Sequence, residues 1–251
     1  MGLSINMNKS GIKAHQLALD AISNNIANAT TEGYKAKGVR FRTLMNNPIT
    51  EDDVLLNNID PQISAGATSA VAVTDFSSGS LSDTRINLDL AHTENNQFFA
   101  VQNEAGETLL TKDGSFTVDG TGRLVNNNGH HLVFDGAIPQ NLLSNDISIS
   151  SNGTVSMNTG NDNSILGNMS IYTVANPETL QPVGENYFLD VANQSILTGN
   201  ANIEVTMLEM SNVDLAQELT NMIVTQRAYS LNIKMSQSTD EMMSNINNFS
   251  V

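Results

Sequence analysis

The C-terminal stretch, residues 211–251, constrains the fold more than any other part of the chain. It contains neither glycine nor proline, and its apolar residues recur at intervals of three, four or seven positions. This periodicity predicts one long amphipathic helix with a narrow, coiled-coil-like seam. A narrow stripe cannot form a core alone, so the helix needs a partner. The expected packing positions are Leu215, Leu219, Met222, Tyr229 and Ile233, followed by Met235, Met242, Ile246 and Phe249.

The start of this helix is marked by three polar residues, Ser211, Asn212 and Asp214. Side chains of these types accept hydrogen bonds from the free N–H groups of a first helical turn. We therefore expect the helix to begin within a few residues of Asp214.

A second helix is predicted at the N-terminus, over roughly residues 3–28. Isoleucine or leucine recurs at every seventh position there, and one further isoleucine fills an intervening seam position. Alanines flank the seam, and their small side chains would let a neighbouring backbone come close. Asn8 and His15 interrupt the seam with polar groups. The expected packing positions are Ile5, Ile12, Leu19, Ile22 and Ile26.

The same periodicity would arise from two ordinary amphipathic helices packed on one globular core. The position of the helices in the chain favours a different interpretation, because the two strong helices lie at the two ends. We therefore predict that the terminal helices pair with each other as a coiled-coil-like stem.

The first helix is followed by a turn signal over residues 24–35, which is rich in asparagine and contains Gly33. Asparagine ends helices because its side chain bonds to nearby backbone, and glycine adopts positive φ at little cost. We expect the helix to end near Ala29, the chain to turn through Gly33, and an extended piece to follow at 39–45.

The middle of the chain reads as short strands. Turn signals such as Asp113-Gly114, Asp119-Gly120 and Asn128-Gly129 arrive about every ten residues, a spacing typical of antiparallel sheets. The predicted class is α+β, mainly β, with a central antiparallel β-sandwich or barrel-like domain at 67–205. The terminal helical polymerisation domain comprises 1–45 and 206–251, and the polar stretch 46–66, with Pro48 and Pro61, is a linker or flexible subdomain.

Charge is distributed unevenly along the chain. The net charge is −15, but residues 1–45 carry six basic and two acidic residues. An acidic chain argues against nucleic acid as the main partner. The basic segment is better explained as complementing acidic surface on another part of the chain or on another copy.

No apolar run approaches the ~20 residues of a membrane span, and the N-terminus lacks the apolar region of a Sec-type signal peptide.

No catalytic, metal or cofactor site is predicted. The chain has no cysteine and no phosphate-binding loop or nucleophile elbow. His130 and His131 are neighbours, and neighbours in a strand point to opposite faces, so they do not suit one metal ion. The oxygen-rich stretch 161–163 lacks the acidic residue that closes a calcium loop and is interpreted as a turn.

Both ends of the chain resemble bacterial flagellar rod and hook proteins. The similarity lies in residues 24–35 and 208–215, in Gln226-Arg227-Ala228-Tyr229, and in central stretches such as 98–99 and 110–116. The residues that carry the terminal motifs are Asn24, Asn25, Asn28, Gly33, Tyr34, Ser211, Asn212, Val213, Asp214, Gln226, Arg227, Ala228 and Tyr229. The resemblance covers most of the chain outside 46–66.

This resemblance implies a structural subunit of the flagellar basal-body rod. It implies a hollow helical tube with paired terminal helices lining it, the β-domain outside, and copies of itself and other rod or hook proteins as partners. It also implies export through the flagellar type III apparatus without signal cleavage. Phe41 and Met45 are similar to that family's short hydrophobic export-gate motif. With one β-domain, the chain resembles the distal-rod type and its relative in the proximal rod.

Three alternatives remain at this point: a hook-type axial protein, an acidic β-rich binding or adhesin module, and a hydrolase with a carboxylate pair in 67–205.

One departure from the family pattern is the segment 92–97, which has no glycine before the double phenylalanine. We expect an asparagine there to adopt unusual dihedral angles.

Overall fold

A computed structural model describes residues 2–43, 67–136, 138–139, 147–158, 163–184, 186–191, 195–198 and 202–249. The predicted linker at 46–66, Met45, and Asn161 and Asp162 of the candidate calcium turn lie outside these ranges. The chain divides into two compact units. The helical unit comprises Met1–Ala27, Lys37–Val73 and Asp214–Val251, and the strand unit comprises Asn28–Ala36 and Thr74–Val213.

The helical unit contains both predicted helices. Helix α1 spans Gly2–Ala27 and helix α2 spans Leu215–Phe249, and the two pack against each other. Strands β1 (Lys37–Thr43) and β2 (Ala67–Thr74) form a two-stranded sheet. The extended piece expected at 39–45 is thus confirmed as far as Thr43.

Helix α1 ends two residues before the predicted position. The Thr31 amide donates to the Asn28 carbonyl (3.1 Å), and the Thr31 hydroxyl donates to the Asn28 side-chain oxygen (3.1 Å). This tight turn takes the place of a further helical turn, so the helix ends at Ala27, within two residues of the expected position. No helix of the described residues is both long and apolar enough to cross a membrane.

The strand unit is built from short strands. They are β3 (Leu81–Asp83), β4 (Leu90–His92), β5 (Gln97–Gln102), β6 (Thr108–Thr111), β7 (Phe116–Val118), β8 (Leu124–Asn126), β9 (His131–Leu132), β10 (Phe134–Gly136), β11 (Ile147–Ile149), β12 (Thr154–Asn158), β13 (Asn163–Met169), β14 (Ile171–Val174), β15 (Gln181–Gly184), β16 (Tyr187–Leu189), β17 (Ser195–Thr198), β18 (Ile203–Val205) and β19 (Met207–Glu209).

These strands pair antiparallel, as predicted. The largest sheet runs in the order β15-β16-β6-β5-β9-β8-β7. Strand β14 pairs with β5, and β17 pairs with β14. A second sheet has the order β10-β13-β12-β11, and two small pairs join β18 to β4 and β19 to β3. The chain is therefore mainly β with a helix at each end.

The double phenylalanine in β5 serves two hydrophobic cores. Phe99 packs in the larger core with β4, β7 and β11, whereas Phe98 packs in a smaller core with Phe76 and Phe188. Successive side chains of a strand point to opposite faces, so neighbours in sequence enter different cores. Both rings are fully buried, as the apolar run at 98–101 predicts.

Three sequence expectations in this unit were wrong. Strands β3, β15 and β17 were not foreseen; the residues of β3 and β15 are all exposed and show no apolar alternation. The apolar alternation over 203–209 predicts one strand, but Thr206, with a positive φ of 63°, divides this stretch into β18 and β19. Within 92–97, all of which is described, no residue has positive φ, so the turn does not need left-handed asparagine.

Candidate functional site

The face between α1 and α2 is the first part of the candidate site. A Cβ atom placed on Gly11 would lie 3.3 Å from the side-chain nitrogen of Asn232. Further along, Ala18 and Ile22 share a cleft with Val224 and residues near it. Since rising numbers on α1 meet falling numbers on α2, the helices run antiparallel. Ala14 and Ile22 are the buried apolar residues of this face on α1.

The predicted packing residues do not all lie on this face. Those at least partly buried within the single chain are Ile12, Leu19, Ile22, Ile26, Met222, Tyr229 and Ile233. Leu215 and Leu219 are each 47% exposed. The side chain of Ile5, which lies in α1, is outside the described part. The sequence therefore identified apolar positions of α2 that point in more than one direction.

A separate apolar stripe runs along the outside of α2. Its members are spaced by seven, four, seven and four residues and are all 51–62% exposed: Val224, Leu231, Met235, Met242 and Ile246. At ~100° per residue they share one side of the helix, turned by about a quarter circle from Thr225 and Asn232, which face α1. We call this set the free stripe. Its three C-terminal members are among the predicted packing positions. Val224 and Leu231 are not, although they lie seven positions apart. Val224 also lines the cleft that α2 shares with Ala18 and Ile22.

The side of α2 away from α1 and from the free stripe is polar from Gln226 onward, whereas Leu215, Leu219 and Ile223 make its first turns apolar and exposed. Gln226, Ser230, Lys234, Gln237 and Glu241 are exposed and recur at helical spacing. Helix α2 thus has three sides: one against α1, one that is the free stripe, and one that is polar over its C-terminal two thirds. Among the motif residues, Gln226 and Arg227 are exposed, whereas Ala228 is half-buried.

The first turn of α2 is capped by Asp214. Its Oδ1 atom accepts hydrogen bonds from the amides of Ala216 (2.9 Å) and Gln217 (3.2 Å). This confirms the predicted helix start and identifies which of the three polar candidates is the cap. Ser211 instead accepts a hydrogen bond from the amide of Val213 (3.3 Å).

The end of α1 is fastened to β1 by Asn25. The Asn25 side-chain nitrogen donates to the Lys37 carbonyl (3.0 Å), and the Lys37 amide donates to Asn25 Oδ1 (2.8 Å). Asn25 is buried, so both polar ends of its amide are satisfied by one backbone residue. Its neighbour Asn24 is exposed and donates to the Asp20 carbonyl within α1 (3.0 Å).

In the strand unit, a buried ion pair joins two distant segments. Lys35 Nζ lies 2.7 Å from Glu209 Oε1, and both side chains are 1% exposed. Lys35 also donates to the Ser77 carbonyl (2.8 Å), and Glu209 accepts from the Gly79 amide (2.9 Å). Because each charge has further hydrogen bonds, the pair meets the condition under which buried charges are tolerated.

Asn212 adds a second tie between the same segments. Its Oδ1 accepts from the Ala36 amide (2.7 Å), and its side-chain nitrogen donates to the carbonyls of Asp75 (2.9 Å) and Ser77 (3.1 Å). The expected role of Asn212 as a helix cap was therefore wrong, because its side chain is engaged elsewhere. We call residues 28–36, 74–79 and 207–213, which these contacts hold together, the clamp.

Gly33 occupies a position in the clamp that has no room for a side chain. Its φ is +64°, as predicted, and its amide donates to the Glu209 carbonyl (2.7 Å). A Cβ atom there would lie 2.6 Å from the Asp113 amide nitrogen. Tyr34, the next motif residue, is buried, and its carbonyl accepts from the Asn212 amide (3.4 Å).

Lys112 is another buried titratable group of the strand unit. Lys112 Nζ donates to the Glu94 carbonyl (3.0 Å) and lies 4.7 Å from the centre of the Phe98 ring. Burial lowers the pKa of Lys112 to about 7; the Glu209 carboxylate opposes this shift, and the Lys35 ammonium adds to it.

His92 packs its ring on Phe99, with the ring centres 3.9 Å apart. Neither ring nitrogen has a hydrogen-bond partner among the described residues. Burial, followed by the charges of Lys112 and Lys35, holds the pKa of His92 well below its usual value, so this imidazole is neutral.

The remaining predicted positions lie apart from these features. Phe41, in β1, is 51% exposed and its ring centre is 6.0 Å from that of His15. His130 packs against Tyr187 with ring centres 4.6 Å apart, and His131 lies in β9. The described residues contain no group of three or more potential metal ligands.

Three protein-family descriptions match separate parts of the chain. Residues 5–35 match "Flagella basal body rod protein", and residues 93–157 match "Flagellar hook protein FlgE/F/G D1 domain". Residues 205–249 match "Flagellar basal body rod FlgEFG protein C-terminal". The first and third ranges contain the two terminal motifs.

Relatives match the chain over nearly its whole length. It is 32% identical over 255 residues to the flagellar basal-body rod protein FlgG of Borreliella burgdorferi, with 95% of each chain covered. It is 33% identical over 254 residues to the FlgG of Bacillus subtilis, covering 95% of this chain and 96% of the relative. The flagellar hook-basal body complex protein FlhP of Bacillus subtilis is 30% identical over 257 residues, with 92% and 93% covered.

Proposed function

The chain belongs to the family of flagellar basal-body rod proteins, and we propose that it assembles through its terminal helices with other copies into a hollow helical shaft. Its relatives and matching families carry the names of structural flagellar proteins, and no catalytic family is among those matches. It is a structural subunit of the flagellar basal-body rod.

The observation that carries the assembly proposal is the free stripe of α2. A heptad-like row of large apolar side chains that remains more than half exposed is unusual on a monomeric protein. Apolar residues spaced by seven and four positions form the kind of row against which a second helix can pack. Leu215 and Leu219 add apolar surface near the start of the same helix. Other copies of the chain are the occupants that the proposed shaft supplies.

Within this proposal, the predicted packing residues have two tasks. Those partly buried between α1 and α2 hold the pair together as a coiled-coil-like stem, and those exposed on α2 bind neighbouring subunits. A contact between unlike surfaces that does not close on itself builds a helical filament. Other rod and hook proteins continue the filament at its ends. The sandwich or barrel arrangement of the strand unit remains a prediction.

We assign the clamp a mechanical role in the shaft. Its three segments lie directly beside the positions where the chain passes between units, namely 27–28, 36–37, 73–74 and 213–214. Buried charges and a side chain with three backbone partners make these segments stiff. Load carried by the helices would therefore reach a part of the strand unit that does not yield, which suits a shaft that transmits torque.

Export through the flagellar type III apparatus, without cleavage of a signal peptide, is part of the same proposal. Phe41 supports it because a recognition motif must be accessible, and this ring is half exposed. Its expected partner in the motif, Met45, lies outside the described residues. Outside the cytoplasmic membrane, the subunit would add to the growing basal body.

The test is assembly of the full-length chain. Purified protein is examined by sedimentation over a range of concentrations, and pellets are viewed by electron microscopy. We expect filaments or tubes whose amount rises steeply with concentration. Leu231→Asp places a charge in the free stripe and should abolish them, because burying an unpaired charge costs several kcal/mol.

The matched control is Gln237→Asp, which places the same carboxylate on the polar side of α2. It should leave assembly unchanged. In cells, the Leu231 variant should be absent from isolated basal bodies while the control variant is present. A chain that stays monomeric at every concentration and is also missing from basal bodies would contradict the proposed function.

A further inference from the structure

The helical unit contains a cleft of about 220 Å³ that no part of the described chain fills. Small residues line it on two sides: Ala18 and Ala21 from α1, and Gly38 from β1. The third side comes from the first turns of α2, including Glu218 and Asn221. The small side chains leave room for an incoming group between the two helices and the strand.

Glu218 brings an unpaired charge to this cleft. Its Oε2 atom is buried, yet it has no hydrogen-bond partner among the described residues. A buried carboxylate oxygen without a partner is costly, so such atoms normally have a donor. Lys37 also lines the cleft, but no ion pair joins it to Glu218 within the described chain. The cleft thus has room for an incoming side chain and a carboxylate oxygen that lacks a hydrogen-bond donor.

We propose that this cleft binds a lysine of α1 from a second copy of the chain, with Glu218 accepting a hydrogen bond from its ammonium group. The proposal rests on the proposed function and adds one specific contact to it. Lys9 and Lys13 are the candidates, because both are exposed and lie one helical turn apart on the side of α1 that carries its other exposed residues. The N-terminal 45 residues hold six of the eleven basic residues in an acidic chain.

The position of the lysines along α1 makes the contact head-to-tail. Lys13 lies eight residues before Ala21 in the same helix, which is ~12 Å along the helix axis. The basic donor and the acidic cleft are therefore different surfaces of one subunit. Each copy can donate to one neighbour and accept from another, which is the arrangement that extends a filament.

A charge exchange tests the contact. Glu218→Lys alone, and Lys9→Glu with Lys13→Glu alone, should each raise the concentration at which half the protein sediments by at least about tenfold, because like charges then meet in the cleft. The variant carrying all three substitutions should recover most of the original assembly. Arg85→Glu, an equal change of charge at an exposed residue of the strand unit, is the control and should have no effect.

Two further variants keep the test decisive. Glu218→Gln preserves size and fold and should weaken assembly less than Glu218→Lys, and Lys37→Met should leave assembly unchanged. The proposal is overturned if the triple variant fails to recover, if Glu218→Lys assembles normally, or if Lys37→Met alone reproduces the loss. In each of these results the unaltered chain still assembles, whereas failure of the unaltered chain would count against the proposed function instead.

Discussion

Lys35 and Glu209 are 174 positions apart in the chain and form an ion pair of 2.7 Å with both side chains almost wholly buried. Lys35 follows the turn after α1, and Glu209 ends β19 shortly before α2. One interaction within the strand unit thus joins the segment that follows α1 in the chain to the segment that precedes α2. It explains why both terminal motifs extend beyond the helices themselves.

Breaking this pair should destabilise the strand unit strongly. Lys35→Met leaves the Glu209 carboxylate buried without its countercharge, and we expect the free energy of unfolding to fall by ~3–5 kcal/mol. The measurement is urea unfolding followed by circular dichroism. Combining Lys35→Met with Glu209→Leu should cost less than the sum of the single changes, because the second removes the orphaned charge.

A surface pair provides the control for this prediction. Arg85 and Asp83 approach to 3.8 Å, but their side chains are 89% and 55% exposed. Asp83→Asn should therefore change the free energy of unfolding by less than ~1 kcal/mol. A Lys35→Met effect no larger than that of Asp83→Asn would mean that the buried pair does not stabilise the clamp.

Gly33 should be irreplaceable for two reasons that can be separated. Gly33→Ala imposes the cost of a left-handed conformation, ~1–2 kcal/mol, and also drives a Cβ atom to 2.6 Å from the backbone of Asp113. Gly129 has φ +81° with nothing within 4 Å of the added Cβ. Gly129→Ala therefore carries the cost of the left-handed conformation without a steric clash. Unfolding measurements should show the larger loss at Gly33. Equal losses at the two positions would show that the clamp relaxes to admit the methyl group.

Much of the helical unit could be predicted from the sequence because apolar periodicity reports directly on helices. The spacing could not tell which apolar positions of α2 face α1, because two stripes a quarter turn apart both satisfy steps of three, four and seven. Met235, which lies in the free stripe, was therefore placed among the packing positions together with Ile233, although the first is 59% exposed and the second is partly buried. Only the register against α1 separates them.

The clamp lay further beyond sequence reasoning. Lys35, Glu209 and Asn212 all fall within the quoted motif stretches, but nothing in a single sequence indicates that residues so far apart meet. Asn212 was interpreted by the strongest local rule, helix capping, and a tertiary contact overrode it. Local preferences were reliable where the backbone decides, as at Gly33 and Asp214, and failed where distant segments compete for a side chain.

Asn25 should stabilise the join between α1 and β1 more than its neighbour does. Asn25→Leu removes both hydrogen bonds to the Lys37 backbone. The amide and carbonyl of Lys37 then lose these partners, which costs ~1–3 kcal/mol. Asn24→Leu, on the exposed side of the helix, should remain within ~0.5 kcal/mol. Hydrogen exchange at the Lys37 amide is the direct readout. Unchanged protection of that amide in the Asn25 variant would contradict the assignment.

Lys112 should make stability depend on pH in the mildly alkaline range. Its pKa in the folded chain is about 7, lowered by burial from an ordinary value of 10.5. Between these two values the unfolded chain holds the proton and the folded chain does not. The free energy of unfolding from this group therefore rises with pH from about 7 to 10.5, and the destabilisation is greatest below pH 7.

Lys112→Met keeps the length of the side chain and removes its charge. We expect this variant to be more stable than the unaltered chain at pH 6, and the difference to shrink as the pH rises through the window. Comparing the two proteins by urea unfolding at each pH cancels the titration of groups that they share. Lys234→Met, at an exposed position of α2, should give a difference that is small at every pH. If the Lys112 variant is less stable at pH 6, the ammonium is stabilised by the Glu94 carbonyl and the Phe98 ring more than burial destabilises it.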